Sequence, residues 1–180
     1  MKKLALTDFA KYRYPSALEL SPDGRYLTFS LKEVDSEGDG YRWNLWLYDL
    51  ERRESRQITR GNSQRQAVWE DNTHILYKTT EPDEALQARG FEEEWTVYHR
   101  LNVCTGEDRE AFRLPMSVSG LWKMDEGRYV FTGETHLDRP NLLELTGEAL
   151  EKELVRRQQT RGYKVLTELP LCENGVGMFN

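Results

Sequence analysis

Cysteine is scarce in this sequence, and the cysteines that it has form no motif. Cys104 and Cys172 are the two, and they lie far apart without Cys-x-x-Cys spacing. A disulfide framework and a zinc site of that type are therefore not indicated. We expect both side chains to be free thiols that are packed or partly packed.

Long apolar segments are also lacking. The basic start of the chain is followed by an apolar run that stops at Leu6, too short for the core of a signal peptide. No run of 18 apolar residues occurs, so we expect no transmembrane helix and no membrane partner. The cytoplasm is the default location for such a chain.

Basic residues are in the minority. The formal net charge is -6 and the isoelectric point is about 5.2, whereas broad nucleic-acid binding requires clustered lysine and arginine. We therefore expect no nucleic-acid partner. The mean hydropathy of -0.78 indicates a polar surface, and an aromatic share of 11% is too high for a disordered chain.

Motifs that carry chemistry are missing as well. The sequence has no Gly-x-Ser-x-Gly elbow of an α/β-hydrolase, no phosphate-binding Gly-x-x-x-x-Gly-Lys and no His-Glu-x-x-His. The three histidines, His74, His99 and His136, stand far apart, and we expect structural or exposed roles for them. We predict no catalytic residue, no metal site and no cofactor.

What the sequence does have is a hairpin signal over 17–34. Pro22 presets a turn, Asp23 caps its own backbone and Gly24 fits a position with positive φ. The residues that follow, 26–30 (YLTFS), are β-branched and aromatic, as strands prefer. One hairpin cannot bury its own apolar face, so further strands must pack against it.

Weaker copies of this hairpin recur along the chain. From Tyr26 to Ile75 is 49 residues, and Tyr129 lies 54 beyond Ile75. A four-stranded module of roughly 40–50 residues is typical of a β-propeller blade. Core packing between blades is the simplest role for the tryptophans, which fall at corresponding positions: Trp43, Trp46, Trp69, Trp95 and Trp122.

We therefore predict an all-β fold: a partial β-propeller of about three four-stranded antiparallel blades and the start of a fourth. Blade 1 covers about 15–60, blade 2 about 65–115 and blade 3 about 117–169, with 170–180 starting blade 4. In blade 3 we predict a third strand at 141–145, a short helical insert at 147–159 and a strand at 163–170 that closes blade 3 or passes toward blade 4. Closed propellers have roughly 4–8 blades, so we expect a fragment of a longer protein.

One acidic run deserves a hypothesis. Glu92, Glu93 and Glu94 follow one another in the predicted loop of 81–94, between two strands of blade 2. Adjacent carboxylates can bind a cationic group such as the amino terminus of a peptide. A solvated acidic loop has the same composition, and that simpler interpretation is favoured.

Three stretches resemble the amino-terminal propeller of the prolyl oligopeptidase family, in particular its acylaminoacyl-peptidase-like branch: 20–26 (LSPDGRY), 44–50 (NLWLYDL) and 168–177 (ELPLCENGVG). The resemblance implies a propeller that covers a carboxy-terminal α/β-hydrolase domain and admits short peptides. The catalytic triad belongs to that domain, so no catalytic residue is transferred to this chain. In the dipeptidyl-peptidase branch paired glutamates hold the substrate's amino terminus, which Glu92–Glu94 resemble locally.

Two functions follow as hypotheses. The first is a non-catalytic propeller segment of a serine oligopeptidase, whose partners are the hydrolase domain and short peptides. The second is a TolB-like propeller that acts as a protein-interaction module. Self-association through exposed edge strands is a further, weaker alternative.

Overall fold

The fold was analysed on a computed structural model of the chain. It describes residues 6–35, 40–125, 127–135, 139–160, 172–173 and 177–178. Two compact units are present, residues 1–136 and residues 137–180.

The first unit begins with a 3₁₀ turn, Leu6–Lys11, and a four-stranded antiparallel sheet, sheet 1. The strand order follows the chain order, as hairpin connections require. At the first hairpin the Gly24 amide donates to the Ser21 carbonyl at 2.8 Å, and Gly24 has φ +72°, as the turn signal predicts. The strands are β1 (Tyr14–Leu20), β2 (Tyr26–Asp35), β3 (Gly40–Asp49) and β4 (Glu54–Gln57).

Sheet 2 repeats the same arrangement. Its strands are β5 (Ala67–Trp69), β6 (His74–Pro82), β7 (Glu94–Asn102) and β8 (Asp108–Leu114). Between β6 and β7, part of the segment predicted as a loop is instead the helical turn α1, Glu84–Gln87. The reason is Asp83, whose side chain accepts the amide of Leu86 and so caps the turn.

Sheet 3 has two strands in the described part of the chain, β9 (Ser117–Asp125) and β10 (Arg128–Glu134). The first strands of neighbouring sheets meet, β1 with β5 and β5 with β9. Sheets whose first strands meet in this way stack face to face around a common centre, which is the geometry of propeller blades. The predicted all-β, partial propeller fold is confirmed.

Two apolar cores hold the sheets together. Sheets 1 and 2 enclose one that includes Leu45 and Ile75, both with 0% exposure. Sheets 2 and 3 enclose the other, which includes Leu76, Tyr98 and Leu121. The tryptophans do not all share this role: Trp69 is buried, but Trp122 is 49% exposed and lies outside both cores.

The second unit contains a 3₁₀ turn, the helix α2 (Gly147–Gln159), and the short antiparallel pair β11 (Cys172–Glu173) and β12 (Gly177–Met178). The predicted helical insert is present. The predicted strand at 141–145 is wrong, because the Asn141 side chain accepts the amide of Leu143 and caps a 3₁₀ turn, Leu142–Glu144. The predicted strand at 163–170 lies outside the described residues.

The core between sheets 1 and 2 can be tested with one substitution. Leu45→Ala should lower the free energy of unfolding by about 2–5 kcal/mol, because it leaves a cavity among buried side chains. Leu18→Ala removes the same atoms from a side chain that is 60% exposed, and should cost less than about 0.5 kcal/mol. Urea unfolding followed by circular dichroism measures both, and equal losses would contradict the assigned core.

Candidate functional site

The predicted acidic run lies in the connection between β6 and β7. This connection is at the end of sheet 2 opposite the β5–β6 and β7–β8 turns, as antiparallel strand order requires. Glu92 and Glu94 are exposed and Glu93 is half-buried. Glu94 begins β7, and Glu92 lies two residues before it in the connection.

The carboxylate with the most defined position in this connection is Asp83, which the sequence reasoning did not select. Its oxygens accept the Leu86 amide at 3.0 Å and the Trp95 indole N–H at 3.2 Å. The Leu86 hydrogen bond, followed by that from Trp95, lowers the pKa of Asp83. The backbone amide of Asp83 also donates to the Glu93 carbonyl at 2.9 Å, so this residue fixes the chain that carries the acidic run. Its position before a helical turn is the cap signal that could have found it.

A polar cluster lies at the opposite end of sheet 2, where it faces sheet 3. Arg100 Nε contacts Glu70 Oε2 at 2.6 Å, and the Tyr129 hydroxyl donates to Glu70 Oε1 at 2.6 Å. Burial, assisted by the charge on Glu70, raises the pKa of Tyr129 to about 12. Lys123 Nζ donates to the Glu70 carbonyl. The cluster joins the turns of two sheets and leaves Glu70 little capacity to bind a ligand.

Next to it, Asp71 and His74 form a hydrogen-bonded pair. His74 Nδ1 lies 2.9 Å from Asp71 Oδ2, and His74 Nε2 lies 3.2 Å from the Asn102 amide nitrogen. Burial opposes ionisation of Asp71, but hydrogen bonds from Thr73 and His74 outweigh it and lower the pKa of Asp71 to about 2. With both ring nitrogens engaged, His74 has the structural role predicted for it.

His99 stands in a chain of polar contacts that has the order hydroxyl, imidazole, carboxylate. Thr79 Oγ1 lies 3.2 Å from Nε2, and Asp108 Oδ1 lies 3.5 Å from Nδ1. A nucleophile would also need donors for an oxyanion and a cavity for substrate. Thr79 lies within β6, in register with Val97, and neither it nor His99 lines the cavities described below. The arrangement is a cross-strand polar ladder.

Among the cavities in the described part of the chain, two open at the turn end of the sheets. A small one of about 20 Å³ has His74, Arg100 and Asn102 in its wall. The larger, called here the sheet 1–2 groove, has a volume of about 380 Å³. Its lining comes from the turns of sheets 1 and 2 and includes Arg25, Tyr26, Asp49, Arg52 and Cys104.

Of the two cysteines, the structure describes the side chain of Cys104. Cys104 is free, as predicted, but it is exposed and not packed. His136 and the side chain of Cys172 lie outside the described residues. In the described parts of the chain, no group of three or more His, Cys, Asp or Glu side chains could hold a metal ion, and no helix is long and apolar enough to cross a membrane.

Comparisons with family models and with curated proteins find no match. Among solved structures, the chain is similar to the beta-propeller domain of the Trilobed protease from Pyrococcus furiosus, described as having an open velcro topology. The TM-score is 0.50 at 14% identity, over 68% of this chain and 34% of that one. The chain has the fold of part of a β-propeller. It also matches Pyrococcus horikoshii acylaminoacyl peptidase, with a TM-score of 0.38 and 15% identity over 64% of this chain and 27% of the peptidase.

The low pKa of Asp71 makes stability depend on pH. An ordinary aspartate in the unfolded chain has a pKa of about 3.9, so the stabilisation is complete above that pH and is lost as the pH falls towards 2. Asp71→Asn should lower the urea midpoint at pH 7 and flatten its decline between pH 4 and pH 2. Glu54→Gln, at an exposed position, should leave that decline as steep as in the parent chain. An unchanged slope in Asp71→Asn would contradict the assignment.

Proposed function

We propose that this chain is the propeller portion of a serine peptidase of the prolyl oligopeptidase family, from the acylaminoacyl-peptidase-like branch. Its role is to restrict access to an α/β-hydrolase domain so that short peptides enter and folded proteins do not. The observation that carries the proposal is the stacking of four-stranded sheets around their first strands. The resemblance of 20–26 and 44–50 to that family supports it.

The chain's own chemistry fits a non-catalytic role. The sequence has no Gly-x-Ser-x-Gly elbow, and the described polar clusters are engaged in joining strands and turns. The proposed location is the cytoplasm, where an exposed free thiol such as Cys104 remains reduced.

The test uses the protein encoded by the complete reading frame that contains this chain. We expect that protein to hydrolyse acetyl-alanine 4-nitroanilide and to leave folded ribonuclease intact. The 180-residue chain alone should hydrolyse neither, and it is the control for contaminating peptidases. Hydrolysis by the isolated chain would contradict the non-catalytic role. A reading frame that adds only further propeller sheets, without the serine elbow, would favour the TolB-like interaction module instead.

Within this function we propose that Glu92 and Glu94 bind the amino group of an entering peptide. They are exposed and stand two residues apart in the β6–β7 connection, and neighbouring carboxylates favour a cation. In the full-length protein, Glu92→Gln and Glu94→Gln should each raise KM several-fold for a peptide with a free amino terminus. The value of kcat should not change.

Glu84→Gln is the matched control, because it removes the same charge from an exposed residue of the same connection. It should leave KM unchanged, and the acetylated peptide should be insensitive to all three substitutions. Equal effects on the free and the acetylated peptide would refute a role in binding the amino group.

A further inference from the structure

The sheet 1–2 groove has the size of a ligand site and is lined by both apolar and charged residues. Its volume of about 380 Å³ lies within the range of roughly 300–1,000 Å³ for small-molecule pockets. The accessible apolar surface comes from the half-buried ring of Tyr26, whereas Leu47 and Val103 also line the groove but are only 3% and 1% exposed. That ring stacks on Trp69 with a centroid distance of 6.5 Å, so the apolar part of the groove is continuous with the core.

The arginine side chains around the groove have N–H donors that are not used in close hydrogen bonds. Arg25 Nη2 lies 3.9 Å from Asp49 Oδ2 and 3.7 Å from Glu51 Oε2, and Arg52 Nε lies 4.0 Å from Asp49 Oδ2. Direct hydrogen bonds from guanidinium to carboxylate are about 2.7–2.9 Å long. These ion pairs are therefore loose, and both guanidinium groups retain N–H donors for another anion.

Asp49 is held by its own turn. One of its oxygens accepts the backbone amides of Glu51 and Arg52, both at 3.0 Å, and its side chain is 14% exposed. The hydrogen bond from Arg52, ahead of that from Glu51, lowers the pKa of this carboxyl. Asp49 Oδ1 is thus committed to the turn, whereas Oδ2 lies at the loose distances of 3.9 and 4.0 Å from Arg25 and Arg52.

The lining favours an anionic group through its arginines. The charged side chains that line the groove are Arg25, Arg52, Arg56, Asp49 and Glu54, which sum to a formal charge of +1. Glu51, which pairs with Arg25 but does not line the groove, brings that sum to zero. Arg56 donates to the Val103 carbonyl and closes one side. A fitting ligand has one carboxylate, which pairs with the arginines, and one apolar group, which contacts the ring of Tyr26.

We propose that the sheet 1–2 groove binds the carboxy-terminal carboxylate of a short peptide whose last residue is apolar. The carboxylate pairs with Arg25 and Arg52, and the last side chain lies against the ring of Tyr26. The lining of the groove indicates that the ligand has a carboxylate beside an apolar group. That this ligand is a peptide rests on the proposed function.

The experiment is calorimetric titration of the 180-residue chain with acetyl-Ala-Leu, with its carboxamide and with hexanoate. The free acid should bind at least tenfold more tightly than the amide, because the amide lacks the charge that the arginines pair with. It should also bind more tightly than hexanoate, which lacks the peptide group.

Two variants and a matched control locate the site. Arg25→Gln and Arg52→Gln should each weaken binding of the free acid about five- to tenfold. Arg53→Gln removes the same charge from the same turn, but Arg53 does not line the groove, so this variant should bind as the parent chain does.

A second measurement does not depend on how these variants fold. In a Cys172→Ser chain, Cys104 is the single thiol, and it lines the groove. The free acid should slow its alkylation by iodoacetamide several-fold, whereas the amide should not.

Three results would overturn the proposal: equal binding of acid and amide, equal binding of acid and hexanoate, or equal losses in Arg25→Gln, Arg52→Gln and Arg53→Gln. Each of them would leave the hydrolysis test of the full-length protein unaffected. That test can likewise fail while acetyl-Ala-Leu still binds here, so the two failures are distinguishable.

Discussion

The structure of the first unit depends on the burial of both faces of one sheet. Sheet 2 contributes Ile75 and Tyr77 to the core it shares with sheet 1, and Leu76 and Tyr98 to the core it shares with sheet 3. A strand directs alternate residues to opposite faces, so apolar residues on both faces require a neighbouring sheet on each side. Because adjacent strands twist, such sheets stack about their inner strands. The turns that join the first to the second strand and the third to the fourth strand of each four-stranded sheet lie at one end of the stack, where the polar cluster and the groove are also found.

The two interfaces differ at that end in how much open volume they leave. Between sheets 2 and 3, Tyr129 donates to Glu70, which is also paired with Arg100. Between sheets 1 and 2, the Tyr26 hydroxyl has Cys104 Sγ as a neighbour at 3.9 Å, and a thiol is only a weak hydrogen-bonding group. The first interface is closed by a partly buried acid and base, whereas the second keeps an open volume.

The hairpin of sheet 1 could be predicted because its determinants are local: Pro22, Asp23, Gly24 and the alternating residues beside them. Other features depend on contacts that no short window contains. The repeat aligns Tyr26 with Tyr129. Tyr26 nevertheless packs against the face of sheet 2 that meets sheet 1, whereas Tyr129 packs against the face that meets sheet 3. A one-residue change of register reverses the face that a side chain occupies, and the pairing of β9 with β10 contains such a shift next to Tyr129. The groove was missed for a related reason, because Arg25, Arg52 and Cys104 are brought together only by packing of the sheets.

The acidic connection and the groove are physically independent. Glu94 begins β7, and Val103 follows the last residue of that strand, so the two sites lie at opposite ends of one extended segment. At about 3.3 Å per residue they are separated by roughly 30 Å, the length of about nine extended residues. A di- or tripeptide that reaches one cannot touch the other. If both bind peptides, they therefore bind different molecules, and a substitution in one leaves the affinity of the other unchanged.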